Sequence, residues 1–172
     1  MKILNKKNIL KSMGILGIYL IVSFLINRNI FDSYIQLNLV IIGINIILAV
    51  SLNLITGFTG QFSLGHAAFM AIGAYASGVM TAKLGQPFII GILMAGIMAS
   101  IAGVLIGIPT LRLRGDYLAI ATLGFGEIVK ILAINNDYIG GAVGLNDIPQ
   151  YTNWTWLYFS VVTTIVVISN FV

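Results

Sequence analysis

The chain has no cysteine, three prolines, one histidine and only 8% charged residues among its 172 positions. Without cysteine there is no disulfide framework, thiolate metal site or cysteine nucleophile. The lone histidine, His66, is a poor metal candidate, because structural and catalytic zinc sites gather three or four protein ligands. No Gly-x-x-x-x-Gly-Lys-Ser/Thr phosphate loop occurs, so the chain has no means of hydrolysing ATP by that route. The scarcity of charge is the largest departure from a soluble domain, where about a quarter of residues are charged.

Apolar sequence fills the gap. Hydrophobic residues make up 59% of the chain and the mean hydropathy is +1.03, which points to an all-α integral membrane protein. The length has room for about six spans of roughly 20 residues each, and no stretch suggests a separate soluble domain, so 1–172 reads as a single transmembrane domain. The apolar runs predict spans at Met13 to Ile26, Leu37 to Ile55, Ala67 to Ala82, Phe88 to Ile108, Tyr117 to Ile134 and Trp154 to Val172. The first run follows Lys2, Lys6, Lys7 and Lys11 but lacks a small-residue cleavage site, so it reads as an uncleaved span rather than a signal peptide. Pro109 is expected to stop the fourth span.

An N-terminus on the cytoplasmic side puts Lys2, Lys6, Lys7, Lys11, Arg112 and Arg114 inside, in line with the positive-inside rule. Arg28 and Lys83 then lie in external connections, as does the 135–153 segment with Asp137 and Asp147. The +4 net charge is thereby explained by topology rather than by a nucleic-acid partner. Trp154, Trp156 and Tyr158 suit an interfacial aromatic belt.

Within the apolar background, Thr56-Gly57-Phe58-Thr59-Gly60-Gln61-Phe62-Ser63-Leu64-Gly65-His66 is a polar, glycine-rich interruption between the second and third spans. Irregular backbone at membrane depth is tolerated only where protein or a water-filled cavity surrounds it, so a broken or re-entrant segment on a transport path is expected. Its candidate pathway or gate residues are Gly57, Gly60, Gln61, Ser63, Gly65 and His66. Glu127 and Lys130 join them, because charges three residues apart share a helix face and a mid-span charge facing lipid costs roughly 2.5 to 3.5 kcal/mol. The plainer reading is that the polar residues satisfy one another, with Glu127 and Lys130 as a structural pair. Arg112, Arg114 and Asp116 form a charge cluster at the start of the fifth span, suited to anchoring topology and, for Asp116, to a positive helix N-terminus. Gly91, Ala95, Ala99, Gly103 and Gly107 recur at every fourth position of the fourth span. Such a smooth face allows close helix packing, either inside the bundle or against a partner subunit. Ala74, Gly78 and Ala82 repeat the pattern in the third.

Two blocks carry a family resemblance. Ser51-Leu52-Asn53-Leu54, then Gly57 to Phe69 and Gly73-Ala74-Tyr75, form the first; Leu111 to Ile128, then Gly140-Gly141-Ala142-Val143-Gly144-Leu145, form the second. Together they resemble the branched-chain amino acid ABC transporter permeases, above all the M-type subunit of leucine/isoleucine/valine uptake systems. The resemblance implies a cell-membrane subunit that forms a translocation pathway with a second permease subunit, two cytosolic ATPase subunits and an external solute-binding protein. ATP would be used by those partners, and no cofactor is held by this chain. Family permeases are considerably longer, so the sequence is expected to be an N-terminal portion of a permease lacking the ATPase-docking segment. An ion-coupled secondary transporter or channel subunit is the second reading. An intramembrane hydrolase built on Ser63 and His66 is the third, and is disfavoured because Gly60-Gln61-Phe62-Ser63-Leu64-Gly65 is not a Gly-x-Ser-x-Gly elbow.

Overall fold

The computed structural model describes residues 17, 19–28, 30–60, 63–110, 112–113, 115–149 and 153–171. Among the described residues every regular element is helical. We number the helices α1 (19–27), α2 (Ser33–Thr59), α3 (His66–Gly78), α4 (Phe88–Thr110), α5 (Asp116–Ile134) and α6 (Trp154–Phe171). Of these, α2, α4 and α5 are long and apolar enough to cross a membrane. A helix satisfies its backbone polar groups within one segment, the requirement that hydrocarbon imposes. Side-chain hydroxyls and amides do the same: Thr56 Oγ1 donates to Leu52 O at 3.0 Å, Asn38 Nδ2 to Tyr34 O at 3.0 Å, and Ser100 Oγ to Gly96 O at 2.7 Å.

The chain divides into two compact units, Met1–Ile47 with Thr152–Val172, and Leu48–Tyr151. In the first, the buried Gly43 of α2 meets Leu157 of α6, whose Cδ2 lies 3.0 Å from where a Cβ on Gly43 would stand. The Tyr19 and Tyr158 rings approach to 5.0 Å between centroids, and the Tyr19 hydroxyl lies 3.2 Å from Thr155 Oγ1.

The second unit holds the interruption, α3, α4 and α5. Here α3 runs into a π-helical turn at Val79–Lys83 and returns as α4 after Leu84 to Pro87. The hairpin is close because small residues line it. A Cβ on Gly73 would lie 3.5 Å from Ala95 O, and one on Gly91 would lie 3.0 Å from Thr81 Cγ2. The buried Thr81 hydroxyl is satisfied by Ser77 O at 3.0 Å. On its other side α3 meets α5, where the Phe69 and Phe125 rings stand 5.2 Å apart. After α5 the chain makes two 3-10 turns, Asp137–Ile139 and Gly141–Val143. The Lys83 ammonium pins this segment to the π-helical turn: it donates to Tyr138 O and sits 4.1 Å from the Tyr138 ring centroid.

Two boundaries differ from the sequence reading. The second span continues as helix through Thr59, so Thr56, Gly57, Phe58 and Thr59 belong to α2 and not to the interruption. Glycine costs a helix only about 1 kcal/mol, and the Thr56 hydroxyl returns to the helix backbone. Pro109 does not stop α4, which runs to Thr110. The proline removes one N–H in the last turn, where a single further residue follows and Thr110 Oγ1 donates back to Ile106 O at 2.7 Å. Of the first expected span, residues 13–16 and 18 lie outside the described residues.

Candidate functional site

The interruption contracts to the few residues between α2 and α3. Gly60 ends α2 with φ 62°, its N–H donating to Thr56 O at 3.0 Å, the left-handed C-terminal conformation that glycine adopts without a Cβ clash. Gln61 and Phe62 lie outside the described residues. Ser63 is half-buried, Leu64 is exposed and Gly65 is buried, and α3 begins at His66 with no side-chain cap.

Two contacts fix this connection. Ser51 Oγ of α2 and His66 Nε2 of α3 are 2.7 Å apart. Leu48 O lies 3.0 Å from the same hydroxyl, so the one Ser51 proton can serve either partner and the imidazole tautomer decides which. The hydrolase reading loses its own pair, because Ser63 precedes α3 and His66 meets Ser51. The second contact is to α5. Leu64 N donates to Thr122 Oγ1 at 3.0 Å, and that hydroxyl donates to Ala119 O at 3.0 Å. Thr122 is 5% exposed, and the two bonds pair its buried hydroxyl both as donor and as acceptor. Gly65 makes the approach possible: a Cβ there would lie 2.3 Å from Thr122 O. Along α5, Leu118, Thr122 and Gly126 are spaced by four and therefore share one face. Leu118 and Thr122 are buried, and Gly126 stands close to the Gly65 Cα.

Ser51 and Thr122 were not among the residues singled out by sequence. Their signal was spacing: Ser51 is a hydroxyl in an apolar run on α2, and Thr122 lies between Leu118 and Gly126 on the small-residue side of α5. Both fall within the blocks that carry the family resemblance, but neither carries a charge that would distinguish it from a hydroxyl satisfied by its own helix.

Next to this crossing, Lys130 Nζ and Glu127 Oε2 are 3.3 Å apart on α5, with side chains 63% and 57% exposed. They line a cavity of about 400 Å³ together with Leu64, Gly65, Ala68, Tyr75 and Leu123. The interruption, α3 and α5 thus border one half-open cleft in which the only charged lining groups, among the described residues, are this pair. A second cavity of about 590 Å³ lies between α3, α4 and α5 and is apolar, with Met94, Met98, Leu105 and Leu132 in its wall and Asn136 and Tyr138 at its polar edge.

The remaining candidates lie elsewhere. Gly57 is an exposed residue within α2, with no atom within 4 Å of a built Cβ. Arg112 and Asp116 are exposed, Asp116 being the first residue of α5, and Arg114 lies outside the described residues. Along α4, Gly91 and Ala95 face α3; Ala99, Gly103 and Gly107 are half-buried, and built Cβ atoms on Gly103 and Gly107 meet nothing within 4 Å.

Comparison with known proteins agrees with the architecture. The family model for the permease component of branched-chain amino acid transport systems matches residues 34–170. The high-affinity branched-chain amino acid transport system permease protein LivM of Escherichia coli (strain K12) is 51% identical over 110 residues, which cover 63% of this chain and 26% of that protein. The protein of the same name from Salmonella typhimurium (strain LT2) is 49% identical over 110 residues, with the same coverage. The matched stretch therefore spans about a quarter of the length of these relatives. No solved structure matches significantly. With a match that takes in α2 through α6, including the interruption and both charges of α5, the chain belongs to the family of branched-chain amino acid transport system permease components.

Proposed function

We propose that the chain serves as a membrane-spanning subunit of an ATP-binding-cassette importer for branched-chain or related apolar amino acids. The observation that carries this is the family match over residues 34–170, supported by 51% identity to a permease named for branched-chain amino acid transport. In this reading six spans cross the cell membrane, the N-terminus is cytoplasmic, and the connection from Gly60 to His66 is a broken segment within the bundle. A second permease subunit completes the translocation pathway, two cytosolic ATPase subunits supply ATP hydrolysis, and an external solute-binding protein delivers the amino acid. The chain itself performs no hydrolysis.

The geometry beside the interruption supports a pathway there. Ser51, His66, Leu64 and Thr122 tie the interruption to α2 and α5, so Ser63, Gly65 and His66 are held between two helices; Gly60 and Gln61 are the remaining candidates of this stretch. Glu127 and Lys130 border the cavity beside it. Movement of α5 relative to α3 would alter the hydrogen bonds and the cavity together, which suits a gate.

The test is deletion of the gene encoding this chain in its native cell, followed by uptake of radiolabelled leucine. We expect uptake to fall, to be restored by the gene, and to be lost equally when the ATP site of the partner ATPase is inactivated. Restored uptake that persists without the ATPase and collapses with the proton gradient would overturn the importer in favour of an ion-coupled carrier.

A further inference from the structure

We infer that the Glu127–Lys130 pair receives the charged head of a zwitterionic amino acid, whose side chain lodges in the adjoining cavity; this rests on the reading of the chain as an amino-acid permease subunit.

Three observations on α5 and its neighbours lead there. The two charges line one half-open cavity, and each side chain is more than half exposed beside its contact with the other. Each keeps capacity for a partner: an ammonium has three donors, and a carboxylate accepts at two oxygens, whereas the contact between them uses Nζ and Oε2 alone. Among the described residues no other charged side chain lines the cavity, so its formal charge sums to zero. A lone anion would be drawn to Lys130 and repelled by Glu127, and a lone cation the reverse. A molecule with an ammonium and a carboxylate on one carbon can oppose both at once, ammonium to Glu127 and carboxylate to Lys130, as two antiparallel dipoles.

The rest of the wall suits an apolar side chain. Leu64, Ala68, Ala71 and Leu123 present hydrocarbon to a volume of about 400 Å³, and small residues leave it open. Because Leu64 and Ala68 come from the α3 side and the charges from α5, an occupant would touch both walls. It would thereby sense the separation that the Leu64–Thr122 hydrogen bond sets.

The test uses the purified permease complex in lipid nanodiscs, without the solute-binding protein, so that delivery does not impose its own selectivity. Binding of radiolabelled leucine is competed with leucine, with leucinamide, which lacks the carboxylate charge, and with 4-methylpentanoate, which lacks the ammonium. In the wild type both analogues should compete on the order of tenfold or more less well than leucine. Glu127→Gln should weaken leucine by a similar factor and make 4-methylpentanoate the better analogue, while Lys130→Gln should favour leucinamide. The double variant should bind leucine no better than either single one. Competition in the wild type that ignores both charges, absence of saturable leucine binding, or recovery of wild-type affinity in the double variant would overturn the inference and leave a structural ion pair. Leucine uptake by the intact transporter in cells, measured in parallel, keeps the two readings apart. Uptake with charge-blind binding sinks this inference alone, whereas no uptake of any amino acid sinks the permease reading beneath it.

Discussion

Gly65→Ala strikes directly at the approach of the interruption to α5. A Cβ on Gly65 would stand 2.3 Å from the Thr122 carbonyl oxygen, 3.0 Å from its carbonyl carbon and 3.2 Å from Thr122 Cβ. That is about 1 Å short of van der Waals contact, and the nearest obstructing atoms are the backbone of α5, which no rotamer change can move. Relief requires the connection to lift from α5, which stretches the 3.0 Å bond from Leu64 N to Thr122 Oγ1 beyond hydrogen-bonding range. Overpacking of this kind costs about 1–3 kcal/mol and the lost hydrogen bond about 1 kcal/mol, so the total is about 2–4 kcal/mol. Gly57→Ala is the matched control. Gly57 lies within α2 with nothing within 4 Å of the added methyl, so alanine should gain about 0.5–1 kcal/mol of helix preference there. The assay is thermal unfolding of the purified complex in detergent, with membrane abundance measured beside it. We expect Gly65→Ala to melt on the order of 5–10 °C below the wild type and Gly57→Ala at or slightly above it. A Gly65→Ala protein as stable as Gly57→Ala would refute the close approach of the interruption to α5.

Thr122→Val should cost about 1–3 kcal/mol, because it leaves the Leu64 N–H without its acceptor beside a buried side chain; Thr122→Ser should restore most of that stability, and the melting temperatures of the two variants check it. Single cysteines placed at Leu113 and Val143 report orientation: an impermeant maleimide should label Val143→Cys, a strongly exposed position, only from outside and Leu113→Cys only from the cytoplasm. Labelling of Val143→Cys from the cytoplasm would invert the proposed topology.

Much of this molecule can be read from its residues. The dearth of charge and the long apolar runs determine a helical membrane protein, because hydrocarbon leaves the backbone no partner but itself. The family is legible in the two blocks around Gly57 to Phe69 and Leu111 to Ile128, and the i, i+3 spacing of Glu127 and Lys130 foretells their contact. Element ends were less legible. Thr56 to Thr59 look like a break by composition, yet the helix continues because a threonine hydroxyl can return to its own backbone; Pro109 looks like a stop, yet one lost bond in a final turn is tolerated. The tertiary structure alone decided which polar group answers which. His66 meets Ser51, fifteen residues earlier, and Leu64 meets Thr122, fifty-eight residues later. A hydroxyl on an apolar helix carries no mark of its partner, since it can be satisfied by its own turn as readily as by another segment. Only the approach that Gly65 permits, bringing the connection against the backbone of α5, selects one arrangement and opens the cavity in which two exposed charges lie side by side.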